Sequence, residues 1–268
     1  MSLVYPLASV SAVPAATGED PPPAASSGWC RRCAQVHSLP SASALAAGRA
    51  LMDQLRGQQR LDFTVPLAMA DPRCSTDELF GLAGGKMFGV LCCRDPQGRP
   101  VVLRAFSGQY NGCWQVEGWV GPLFDSAAFD QLIRCPEEEI KRLGREIAGL
   151  SPGSEDRHRR QHQRRALSQD LMRQIHGLYR LNNFRGETAT LANAFIGKGA
   201  PPAGTGDCCG PKLLHHAATH GLVPEGLAEF YWGRTNGSAT REHGRFYPAC
   251  APKCQTILGF LLCGLEPG

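Results

Sequence analysis

The sequence predicts an α/β fold: a mixed sheet flanked by helices in three layers, with a basic helical segment inserted into it. Three observations carry this. GGKMFGVLCCRDPQGRPVVLRAF reads as strand, turn, strand. PPAGTGDCCGPKLL and FYPACAPKC each lead into an apolar helical pattern and bracket the apolar run LAEFYW. Between the hairpin and the first cysteine segment lies a long arginine-rich stretch of helical character. At 268 residues with 43% apolar side chains, the chain can bury a sizeable core. It holds no apolar run near the roughly 18 residues of a membrane span, so no membrane partner is expected.

Taken in order, residues 1–28 are rich in Ala, Pro and Ser and contain no Lys or Arg. This composition buries too little apolar surface to offset ordering, so a disordered tail is expected, followed by one α/β domain over 29–268. GWCRRCAQVH follows, then Ser41 and Ser43 as candidate caps for a helix through Ala44, Leu45, Leu51, Met52 and Leu55, with Gly57 as its stop. Met87 to Cys93 and Pro100 to Phe106 form a hairpin around Asp95-Pro96-Gln97-Gly98. Trp114 and Trp119 are expected to pack over the sheet edge. A helical insertion is expected over about 126–196, with one helix starting at Pro136 ahead of Glu137, Glu138 and Glu139. A second helix would set Arg157, Arg159, Arg160, Arg164, Arg165 and Arg173 over a Leu167/Leu171/Ile175/Leu178 stripe. Guanidinium groups at that density suit a phosphate backbone, which makes RNA the expected partner; a solvated helix face is the alternative.

Twelve cysteines in clusters fit metal sites in a reducing intracellular compartment, the cytoplasm favoured, better than a disulfide framework. Asp207 can N-cap a helix from Cys208 to Thr219, and Cys250 and Cys254 share a face if their segment is helical. Two helix starts brought together across a sheet would gather Cys208, Cys250 and Cys254, with Cys209 as a further candidate, around Zn2+ and leave a fourth position open. An iron–sulfur site, a redox pair and buried free thiols are the competing readings. Cys30, Cys33 and His37 form a second candidate zinc group. Cys74, Cys92, Cys93, Cys113, Cys135 and Cys263 are read as small buried hydrophobes.

With the insertion removed, the element order is that of the zinc-dependent cytidine-deaminase-like fold. Enzymes of that fold place a proton-carrying Glu two residues after the first ligand. Here that position is Gly210, which leaves Asp207 or Glu229 as candidate acid/base and makes a base or nucleoside deaminase the alternative function.

The stretches GGKMFGVL, LRAFSGQ, GWVGPLFD, PPAGTGDCCGPKLLHHAATHGL, LAEFYWG and FYPACAPKC resemble the N-terminal region of a subset of bacterial RluA-type RNA pseudouridine synthases, over about Gly85 to Cys263. The resemblance implies an RNA-modification setting. In those proteins catalysis rests on an HRLD motif, which this chain lacks; Arg60-Leu61-Asp62 has neither the preceding His nor the following turn. The leading expectation is an accessory, zinc-stabilised RNA-binding domain without pseudouridine synthase catalysis, with a separate catalytic chain as a candidate partner.

Overall fold

The computed structural model describes residues 24–82 and 84–265. The expected tail lies outside the described residues up to position 23. Its expected boundary at 28 falls inside a strand, because the described residues open with an antiparallel hairpin of β1 (Ser26–Cys30) and β2 (Gln35–Leu39). Alternate residues of β1 are buried, which is what a half-covered strand requires.

Helix α1 (Ala42–Gln58) follows, its buried stripe Ala44, Leu51, Met52 and Leu55 repeating at helical spacing. Ser41 occupies its N-cap position without a side-chain cap, and the helix runs through Gly57 to a left-handed Gln59. Three short 3-10 turns lead to β3 (Lys86–Arg94) and β4 (Pro100–Phe106). Arg60 and Asp62 form a buried ion pair at 2.7 Å that ties this loop together, a structural use of Arg60-Leu61-Asp62.

The insertion comprises α2 (Ser126–Gly149), α3 (Glu155–Leu178), a small hairpin of β5 (Arg180–Asn182) and β6 (Thr188–Thr190), and the single turn α4 (Leu191–Ala194). No helix starts at Pro136. Asp125 caps α2 well before it, accepting from the N–H groups of Ala127 and Ala128, and the helix continues through the proline. Leu143 and Ile147 are buried on α2, and Leu171 is the buried member of the expected Leu167/Leu171/Ile175/Leu178 stripe of α3.

The chain then returns through α5 (Cys209–Thr219), β7 (Val223–Trp232), the two-residue strand β8 (Phe246–Tyr247) and α6 (Gln255–Leu261). The main sheet has the order β4-β3-β7-β8. All its pairings among the described residues are antiparallel, where a mixed sheet was expected. The reason is geometric. The crossover from β4 through α5 delivers β7 to the far edge of β3, so two strands of one direction sandwich one of the other.

Side-chain alternation along β3 and β7 divides the core. Phe88, Val90, Ala228 and Phe230 face α1 and join Trp119, whose ring lies 5.6 Å from that of Phe88. Leu91, Cys93 and Leu227 face α5 and α6 with Leu213, Leu214, Ile257 and Leu258. Burial of each of the Phe, Val, Leu and Ile side chains among them contributes about 1.5–3 kcal/mol. Trp114 packs edge-on against Phe124 at 4.8 Å, on the α5 side. No helix among the described residues is long and apolar enough to cross a membrane.

Candidate metal centre

Two loops converge on the α5 side of the sheet. Cys208 is the N-cap residue of α5, and Cys254 that of α6. Cys250 lies one tight turn earlier, its carbonyl accepting the N–H groups of Cys254 and Gln255. The expected Cys250–Cys254 helix is this turn instead. The sulfurs of Cys208, Cys250 and Cys254 all lie within 4.8 Å of one another, with Cys250 and Cys254 3.3 Å apart. Tetrahedral zinc with Zn–S bonds of about 2.3 Å sets its sulfurs about 3.8 Å apart, so the group fits that ion with little movement. Cys250 is the natural thiolate: the thiol of Cys208, then that of Cys254, then the backbone N–H groups of Cys254 and Lys253 all hold its pKa far down. The contact with Cys250 pushes Cys208 up, and those with Cys208 and Cys250 push Cys254 up.

Cys209 is not part of this group. It points at the sheet, its thiol donating to the Met87 carbonyl at 3.4 Å, and burial raises its pKa. Gly89 makes that approach feasible, since a Cβ there would stand 2.6 Å from the Cβ of Cys209.

The two candidate carboxylates differ. Asp207 does not cap α5; it precedes the cap residue, and its carboxylate accepts the Tyr179 hydroxyl at 2.6 Å. Burial raises its pKa, opposed by that hydroxyl and by Lys212. Glu229 projects from β7, 5% exposed, and accepts the Gly210 N–H at 2.9 Å. A Cβ on Gly210 would stand 3.8 Å from Oε1 of Glu229. Burial lifts the Glu229 pKa to about 7, with the Gly210 N–H opposing and the Cys250 charge adding. Lys212, 1% exposed, lies one turn beyond Cys208 on α5. Its ammonium donates to the carbonyls of Phe106 and Gly108 at 3.0 Å, and burial lowers its pKa to about 8. Sequence reasoning passed over Lys212, which reads as an ordinary surface lysine.

A second cluster of metal-ligating side chains joins Cys30, Cys33 and His37 of the first hairpin to Cys263, just beyond α6; the four donor atoms lie within 4.8 Å of one another. Cys263 is therefore more than the buried hydrophobe expected of it. Its hairpin partners are more than two hundred residues away, so no local spacing pointed to it. All twelve cysteines are free thiols.

The arginines of α3 divide as well. Arg157 donates to the carbonyls of Ile147 and Leu150 and so closes the end of α2. Arg159 pairs with Asp156, Arg160 with Glu146, and Arg173 with Asp170. Arg164 and Arg165 stand exposed on the helix. No protein-family model matches this chain, and no curated protein or solved structure matches it.

Proposed function

We propose that the chain is a zinc-dependent, deaminase-like hydrolase that acts on an amino-bearing nucleobase in RNA. One observation carries the reading. Gly210 lacks the side chain that deaminase chemistry takes from the helix, and Glu229 brings a buried carboxylate from the strand into the adjacent space, hydrogen-bonded to the Gly210 N–H. The layering of α1 on one face of the sheet and α5 and α6 on the other also supports a deaminase-like framework.

Cys208, Cys250 and Cys254 would hold the ion, which when bound supplies Lewis acidity at an open fourth position. Glu229 takes a proton from the attacking water and delivers one to the departing amine. Water adds to the ring carbon, a C–O bond replaces the C–N bond, and ammonia leaves. A carboxyl group poised near pH 7 suits both halves of that transfer. Asp207, committed to Tyr179, is the lesser candidate for this role.

Zinc-loaded chain incubated with single-stranded RNA, and separately with cytidine and adenosine, should release ammonia and yield uridine or inosine. Glu229→Gln should slow this by roughly 10²–10⁴-fold. No product from any of these substrates sinks the hydrolase reading.

The exposed Arg164 and Arg165 favour a second reading: an accessory RNA-binding domain, related to RluA-type pseudouridine synthases and working beside a separate catalytic chain. RNA affinity that falls with salt and drops in the double variant Arg164→Glu/Arg165→Glu, without base conversion, is its expected signature. Affinity unchanged by both would remove it.

A further inference from the structure

We propose that Cys30, Cys33, His37 and Cys263 form a closed, structural zinc site that clamps the β1–β2 hairpin onto the end of α6. This inference stands apart from the hydrolase reading and uses none of its residues.

The donors come from four places on two segments, the first hairpin and the end of α6. Cys30 ends β1, Cys33 sits in the turn beside a left-handed Ala34, and His37 lies in β2 opposite Gly28. Cys263 follows α6 by one residue beyond its C-cap Leu262. Cys33 and Cys263 have their sulfurs 3.6 Å apart, too far for a disulfide near 2.05 Å and close to the spacing of about 3.8 Å that tetrahedral zinc imposes.

Three sulfurs and one imidazole satisfy all four positions of zinc, whereas an iron–sulfur cluster typically calls for four thiolates. Two contacts outside the donor set point the same way. The Nε2 of His37 is buried and has no hydrogen-bond partner, a cost that a bound cation relieves. Arg185 directs its Nε–H at the Cys263 sulfur at 3.4 Å, an outer contact suited to a thiolate-rich site.

Packing holds the four donors in place. Gly28 of β1 and Gly259 of α6 face one another so closely that a Cβ on either would run into the other segment's backbone. Cys254 and Cys263 flank the same short helix, so α6 carries a ligand of the open three-cysteine group at one end and of the closed group at the other.

The test is metal content of the full chain purified without chelator, followed by cobalt substitution. Wild type should hold two zinc ions. Cys263→Ser should lose one and Cys250→Ser the other. In the Cys250→Ser chain loaded with cobalt, the sulfur-to-cobalt band should be indifferent to added imidazole, since no position is open. Zinc content unchanged by Cys263→Ser overturns the proposal, as does a cobalt spectrum that imidazole shifts. Where Cys263→Ser fails to fold, His37→Cys replaces it. That variant should keep the metal and strengthen the sulfur-to-cobalt band, and an unaltered band overturns the proposal. Loss of base conversion with both zinc ions retained counts against the hydrolase reading alone.

Discussion

Glu229→Gln should stabilise the protein while removing the proposed base conversion. Gln keeps the shape of the side chain and an oxygen for the Gly210 N–H, but no charge. In the folded chain burial raises the carboxyl pKa from 4.5 to about 7. At about 1.36 kcal/mol for each pH unit, that rise amounts to about 3 kcal/mol. Below pH 4.5 the group is protonated in folded and unfolded chains alike and costs nothing. Between 4.5 and 7 the unfolded chain sheds its proton while the folded chain keeps it, so stability falls as pH rises. Above 7 both are ionised, and the folded state carries the full cost of the buried charge. Urea denaturation of chelator-treated protein, in which no cation offsets that charge, reads the difference. The variant should match the parent near pH 4 and exceed it by up to about 3 kcal/mol at pH 8. Base conversion by the zinc-loaded variant should fall roughly 10²–10⁴-fold. A variant less stable than the parent at pH 8 would refute the placement of a buried, ionisable carboxylate in this core.

Three further outcomes are expected. Gly89→Ala should force α5 off the sheet, because its Cβ meets that of Cys209 at 2.6 Å; a loss of about 1–3 kcal/mol and a lower zinc content, read by denaturation and metal analysis, should appear together. Arg157→Ala should cost about 1 kcal/mol in a thermal melt through the two carbonyls it leaves at the end of α2, yet leave RNA affinity alone. An affinity loss equal to that of Arg164→Glu/Arg165→Glu would return Arg157 to the proposed RNA-binding set. Leu213→Ala, fully buried between α5 and the sheet, should cost about 2–5 kcal/mol in chemical denaturation.

The succession of α1, the β3–β4 hairpin, the inserted helices, α5 and β7 was legible because these are amphipathic at their own periods: Leu51, Met52 and Leu55 at helical spacing, Phe88 and Val90 at strand spacing; the β1–β2 hairpin was not, because its strands SSGWC and QVHSL carry few apolar residues. The cysteines at the starts of α5 and α6 were legible from the breakers around them, Gly204 and Gly206 on one side and Pro248 on the other. What stayed hidden depends on the third dimension. That Cys209 turns to the sheet while Cys208 turns to Cys250 follows from the direction in which α5 leaves its cap. Glu229 was one carboxylate in an apolar run, and only its register opposite Gly89 sets it under Gly210. Acidic residues after Pro136 imitate a helix start, but the side chain of Asp125 had already supplied the cap.

The β1–β2 hairpin rests on α6, and Cys33 meets Cys263 across 230 residues of chain. A two-stranded hairpin is marginal in water by itself. On a ribosome adding about 5–20 residues each second, on the order of ten seconds or more separate the synthesis of the hairpin from that of its support. For that interval Cys30, Cys33 and the buried face of the hairpin await α6. The first of the described elements to be made is thus among the last to become stable, and a nascent chain stalled before α6 should expose Cys30 and Cys33 to alkylation that the finished protein resists.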